Sequence, residues 1–134
     1  MAGYVPDAGE LQLLKRALGV ETNGDQTIKL YVNDYTPVAG SVAGSFTEMS
    51  TLGYAAKTLT AASWTVTTIA NVASGTYAQQ TWTFTAGSSV VVYGYFVINA
   101  AGTILFAERF ASPPTIQYTG DIIKITPVVT LATA

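Results

Sequence analysis

With 134 residues and no cysteine, the chain has the size of one ordinary domain and excludes both a disulfide framework and a thiolate metal site. Charged residues are only 10% and hydrophobic residues 49%, with a mean hydropathy of +0.35, which excludes a disordered chain and points to a surface partly covered by partners. The net charge of −2, with Lys15-Arg16 the only adjacent basic pair, excludes the basic footprint that nucleic-acid binding requires.

The first element is a helix within an expected N-terminal helical arm, residues 1–22. Pro6 and Asp7 suit a helix start and Glu10 lies near its positive end. Leu11, Leu14 and Leu18 recur at helical spacing, Leu13 and Ala17 lie alongside, and Gly19 fits a C-terminal stop. A helix of about twelve residues is marginal alone, so it must dock on its own domain or on a neighbouring subunit.

From residue 23 the period changes from helical to two, and residues 23–134 read as a β-sandwich domain. Thr27 to Asn33 alternates Ile28, Leu30 and Val32 against polar neighbours, then breaks at Asn33 to Pro37. Ala39 to Ser45 reads as a small-residue loop, Gly53 to Thr60 as a weak strand and Ser63 to Ile69 as a strand with Trp64 and Val66 on one face. Asn71 to Gly75 reads as a loop. Gln79 to Thr85 sets Trp82 and Phe84 against a threonine face.

Val90 to Ile98 is a continuous apolar run that reads as one central strand. Gly94 inside it marks a bulge or a close backbone approach. Asn99 to Gly102 connects it to a partner strand, Thr103 to Phe110, which Pro113 and Pro114 end. Ile122 to Leu131 reads as the last strand, with Pro127 requiring an edge or a bulge. Seven or eight short strands after one short N-terminal helix predict an all-β fold, a β-sandwich of jelly-roll type. The expected core is Ile28, Leu30, Val32, Trp64, Val66, Trp82, Phe84, Val91, Tyr95, Val97, Leu105, Ile123, Ile125 and Leu131.

No apolar stretch approaches the roughly 18 residues of a membrane span, and no basic-then-apolar leader is visible at the N-terminus, so neither a membrane nor a secretory route is expected. Histidine is absent, which removes the commonest general base and, with cysteine, the usual zinc ligands. Two carboxylates would suffice for a glycosidase, and Asp34, Glu48, Glu108 and Asp121 are the candidates, but none falls in a pairing motif. No glycine pattern opens a helix as a phosphate loop, and Asn33-Asp34 and Asn23 to Asp25 read as turns rather than calcium loops. No enzyme activity and no cofactor are expected. The eight tyrosines suit packing, protein contacts or sugar binding.

Several segments together resemble a known group. Val5 to Glu10 runs into the leucine-rich helix, followed by Lys29-Leu30-Tyr31-Val32-Asn33-Asp34-Tyr35-Thr36-Pro37 and Gly44 to Glu48. Gly53-Tyr54-Ala55, Tyr93 to Val97, Leu105 to Phe110 and Gly120 to Pro127 complete the layout. It resembles small structural proteins of tailed bacteriophages. The resemblance implies capsid decoration (cement): a virion protein on the capsid exterior that binds the major capsid protein and bridges neighbouring shell subunits. It implies a homo-oligomer, with a trimer favoured, and no catalytic residues; a tail or fibre module, structural or glycan-binding, is the alternative role. The expected partner contacts are Tyr4, Val5, Leu11, Leu14, Leu18 and Tyr35, with the segment from Met1 to Gly19 as the grip, or else the loops Asp34 to Phe46 and Asn71 to Tyr77.

Overall fold

The computed structural model describes residues 3–131, apart from the side chain of Ile69; the first two residues of the expected grip and the last three of the expected sandwich domain lie outside them. Among the described residues there is one α-helix, α1 (Asp7–Ala17), followed by β1 (Gln26–Tyr31), β2 (Lys57–Leu59), β3 (Thr65–Ile69), β4 (Val72–Thr76) and β5 (Gln80–Thr83). Then come β6 (Val90–Val91), β7 (Gly94–Ile98), β8 (Ile104–Arg109), β9 (Thr115–Ile116), β10 (Ile122–Ile125) and β11 (Val128–Leu131). All pairings between these strands are antiparallel, and the fold is all-β and sandwich-like with a single short N-terminal helix.

The helix stops where the sequence places a stop. Gly19 adopts φ +73°, its N–H reaches the Arg16 carbonyl at 3.2 Å, and the Val20 N–H reaches the Lys15 carbonyl at 2.8 Å. This pair of bonds satisfies carbonyls that the last turn would otherwise leave unpaired.

The central sheet has the order β2-β1-β7-β8. Its register sets Ile28 opposite Val97 and Leu30 opposite Tyr95, and the same face continues to Phe106. Against that face lie Trp82 and Phe84 from the β5 segment and Ile123 and Ile125 from β10, which together form the main core. Each such large side chain removed from water contributes roughly 1.5–3 kcal/mol. The opposite face carries Tyr31, Phe96 and Ala107, and it is covered by Ala8 of α1 and by Tyr35 and Phe46 of the loop after β1.

Gly94 opens β7 by close approach. A Cβ there would collide with the Glu108 carbonyl and stand 2.7 Å from the Tyr31 ring, which lies across the glycine from the paired strand.

Several expectations need correction. The run from Val90 to Ile98 is two strands: β6 pairs with β9, and β7 joins the central sheet. The chain changes sheets at Val92 and Tyr93, whose N–H groups go to the Pro114 and Tyr31 carbonyls. The last strand is likewise two. Pro127 cannot donate to a ladder, so β10 ends on β5 and β11 restarts on β4. Residues 72–75 lie in β4, not a loop, because Ala70 and Asn71 take φ +50° and +65° and close a tight hairpin with β3. Val66 and Leu131 are not core: they are 75% and 52% exposed. Val91, Val32 and Trp64 are only half-buried, and Val92 takes the core position expected of Val91.

Candidate interaction surface

The N-terminal segment is stitched into its own domain. Tyr4 and Ala107 exchange backbone hydrogen bonds of 2.6 and 2.8 Å, and the Gly3 N–H donates to the Val128 carbonyl at 2.7 Å. The segment thus bridges the edge of the central sheet to β11. Pro6 is buried behind it and Val5 packs on the main core.

The helix follows at close range. Gly9 lies so near β8 that a Cβ would overlap the Leu105 carbonyl. That carbonyl belongs to a bulge: Phe106 pairs with Val97 and Ile104 with Ile98, leaving Leu105 unpaired. One turn on, buried Gln12 accepts a hydrogen bond from Asn99 Nδ2 at 3.3 Å, which ties the helix to the β7–β8 connection.

The six expected contact residues therefore separate. Leu11 is 53% exposed on α1 and Leu18, the cap residue after it, 70%; Leu14 is 57% exposed but turns toward Leu131, and Tyr4 is 45% exposed. Val5 and Tyr35 instead pack inward. The Tyr35 ring stands edge-on to Phe46 at 5.2 Å, its hydroxyl is 2.8 Å from Ser41 Oγ, and its carbonyl accepts from the Tyr31 hydroxyl. Arg109 pins the same loop by an ion pair to Asp34 at 2.6 Å and sits over the Tyr93 ring.

Beside α1 runs an apolar groove. Its wall is the three-stranded sheet of order β11-β4-β3. In register across that sheet, Gly75 stands between Val66 and Val129, and the missing side chain leaves a valley between two valines. A hollow of about 180 Å³ opens there over Trp64, Leu105 and Phe106, and a second of about 310 Å³ continues between Leu14, Ala17 and Leu131. Exposed Val66 and Leu131 form the rim.

The outer edge of this sheet is β3, which among the described residues pairs only with β4 and leaves one side of its backbone unpaired. Natural edge strands are usually blunted by lysine, proline or a bulge. β3 reads Thr-Val-Thr-Thr-Ile, and residues 58–107 contain no charged residue at all. That run was the available signal in the sequence for this face, together with the Thr-rich composition around Val66. Sequence reasoning instead assigned Val66 to the core and residues 71–75 to a loop.

The four acids considered for hydrolysis are each engaged elsewhere. Asp34 pairs with Arg109. Glu48 accepts from Lys29 at 2.8 Å and from the Tyr54 hydroxyl at 3.2 Å. Glu108 accepts from the Tyr95 hydroxyl at 2.9 Å. Asp121 caps a turn through the N–H groups of Gln117 and Tyr118 at 2.8 and 2.9 Å. Among the described residues no group of three or more acids is placed to hold a metal ion, and no helix is long and apolar enough to cross a membrane.

The aromatic residues serve mainly as internal struts. Trp82 is buried and donates to the Ala55 carbonyl at 2.9 Å, and Trp64 donates to Gln26 at 2.8 Å. The Leu30 N–H, which lies beyond the end of short β2, donates instead to the Tyr54 hydroxyl at 3.1 Å. Burial pushes the Tyr31 phenol up to about 12, with Asp34 and Glu108 reinforcing the shift and Arg109 opposing it. Burial, reinforced by the Glu108 and Glu48 carboxylates respectively, likewise raises Tyr95 and Tyr54 well above the ordinary phenol range.

No family model matches the sequence, no curated protein resembles it, and no solved structure matches its fold.

Proposed function

We propose that the protein is a structural module that acts by assembling with other proteins, and that its setting is the exterior of a bacteriophage capsid, where it decorates and cements the shell. The observation that carries this reading is the largely apolar groove between α1 and the β11-β4-β3 sheet, with Val66 and Leu131 exposed on its rim beside the open edge of β3. Apolar patches of this kind mark contact sites on soluble proteins. An unblunted strand edge adds a second mode of contact, because a partner segment can extend the sheet through backbone hydrogen bonds. The resemblance of the sequence to small phage structural proteins supplies the setting, and bridging of major capsid subunits is the role it implies.

The chemistry of the acids supports contact rather than catalysis. Asp34, Glu48, Glu108 and Asp121 each hold a cation, a phenol or a turn in place, so each has a structural partner in the folded chain.

Co-sedimentation with emptied phage shells tests the proposal. The protein should pellet with shells and raise the temperature at which they rupture. Val66→Lys places a charge in the groove beside the open edge and should weaken binding roughly tenfold or more, equivalent to about 1.4 kcal/mol. A wild-type protein that never pellets with shells, or a Val66→Lys variant that binds them equally well, would contradict the proposal.

A further inference from the structure

We infer that the Asn23-Gly24 pair is a self-modification site, at which the folded chain converts Asn23 to aspartate and isoaspartate with no enzyme and no cofactor. The inference goes beyond the assembly reading and does not depend on it.

The pair lies in the segment that joins α1 to β1, past the left-handed Gly19 and before Gln26. The reaction needs the main-chain nitrogen of the following residue to reach the asparagine side-chain carbonyl carbon. Three features prevent this in a folded chain: a side chain on the following residue, a hydrogen bond from its N–H, and hydrogen bonds that hold the asparagine amide. None of them operates at Asn23. A Cβ built on Gly24 would meet no atom within 4 Å, so the space for ring closure is open. Among the described residues the Gly24 N–H donates to no backbone carbonyl. The side-chain hydrogen bonds of this segment belong to Glu21 and Asp25, on either side of the pair. Asn23 itself is exposed to the water that completes the reaction.

The other asparagines show the contrast. Asn33 is held at both ends, with Nδ2 donating to the Ser45 carbonyl at 3.0 Å and Oδ1 accepting from the Thr47 N–H at 2.7 Å. Asn99 is 3% exposed, donates to Gln12 and accepts from the Thr103 N–H at 2.9 Å. Asn71 is exposed, but it is fixed in the hairpin turn at φ +65° and is followed by branched Val72, which pairs with Ile69.

The chemistry balances with water alone. The Gly24 nitrogen loses its proton and attacks Asn23 Cγ. The new C–N bond closes a five-membered imide, and the side-chain nitrogen leaves as ammonia with that proton. Water then opens the ring. Attack at the side-chain carbonyl gives aspartate, and attack at the main-chain carbonyl gives isoaspartate, whose main chain runs through the side-chain methylene. Either product adds one negative charge to a chain of net charge −2. The charge falls between Glu21 and Asp25, and Asp25 Oδ1 accepts from the Ala61 N–H at 3.1 Å. Isoaspartate therefore lengthens the main chain just before a brace that ties the start of β1 to the turn before β3.

Peptide mapping by mass spectrometry tests the inference on the folded protein, held at physiological temperature and mildly alkaline pH. Asn23 should gain one mass unit, as both aspartate and isoaspartate, roughly tenfold or more faster than Asn33, Asn71 or Asn99. Equal or faster conversion at any of those three, no conversion at Asn23, or aspartate without isoaspartate would overturn the inference. Gly24→Ala should slow the reaction roughly tenfold or more at an unchanged melting temperature, because the added methyl meets nothing. An unchanged rate in that variant would overturn the ring-closure route. Asn23→Gln, whose longer side chain would need a six-membered ring, supplies a second variant. It should remove the more acidic species that accumulates on anion exchange, and persistence of that species would place the modification elsewhere and overturn the inference. No shell enters these assays, so their result and that of the shell-binding test are read separately.

Discussion

Single residues carry much of the specificity of this fold. Gly9 allows α1 to rest on the Leu105 carbonyl, and any larger residue must lift the helix. Gly9→Ala should therefore destabilise by about 1–3 kcal/mol in denaturant unfolding, against the small gain expected for Ala in a free helix. Trp82 and Val66 form a contrasting pair. Trp82 is 4% exposed and hydrogen-bonded, so Trp82→Ala should cost about 3–5 kcal/mol. Val66 is 75% exposed, so Val66→Thr should change stability by less than about 0.5 kcal/mol. Both residues sit in alternating strands, and alternation read both as core. Period two reports which residues share a face; it does not report whether that face meets a second layer or an open groove.

The buried phenols make a pH prediction. Tyr31 holds its proton to about 12 in the folded chain, against about 10 when unfolded, and Tyr54 and Tyr95 are raised in the same sense. Above the unfolded value the open chain ionises first, so the stabilising contribution is complete below about pH 10 and is lost as pH rises toward about 12. Urea unfolding followed across this range should show a falling midpoint, with the tyrosinate absorbance of these three buried phenols appearing together with unfolding. A flat midpoint while these tyrosines ionise would contradict their burial.

Among the elements, those with a local signal were legible and those set by tertiary pairing were not. The α1 boundaries follow from Pro6, Asp7 and Gly19, and β1 and β5 from clean alternation. β4 was hidden because its turn uses Ala70-Asn71, with no glycine to mark two successive left-handed residues. The division of residues 90–98 was hidden because both halves are apolar, and only the competing partners β9 and β1 separate them. The break at Pro127 was visible as chemistry, but the change of sheet that it imposes was not. At this scale the open edge of β3 is the element most exposed to test. Thr67→Lys adds charge to an edge strand that has none, and the fold should tolerate it within about 0.5 kcal/mol while resistance to aggregation on heating improves.

For the whole molecule, the all-β architecture and most of the main core were readable from the sequence, whereas the exposed apolar surface was readable only in part. Leu11, Leu14 and Leu18, expected as contacts, are more than half exposed. Tyr35 and Val5 resemble them in composition but are drawn inward by Phe46 and by the main core. The groove depends on Gly75 standing between two valines from strands far apart in the chain, a juxtaposition that no local pattern encodes. Low charge then has two spatial meanings: most of the uncharged chain between Lys57 and Glu108 builds the buried core and the central sheet, and its β3–β4 part forms the wall of the groove beside α1.

Backbone hydrogen exchange of the protein alone and in the presence of emptied shells tests this account most directly. The account predicts that amides on the open side of β3 exchange readily in the free protein and become protected on the shell, with the loop from Ser50 to Ala56 unchanged. Shell-dependent protection of that loop, with β3 exchanging as freely as before, would contradict it.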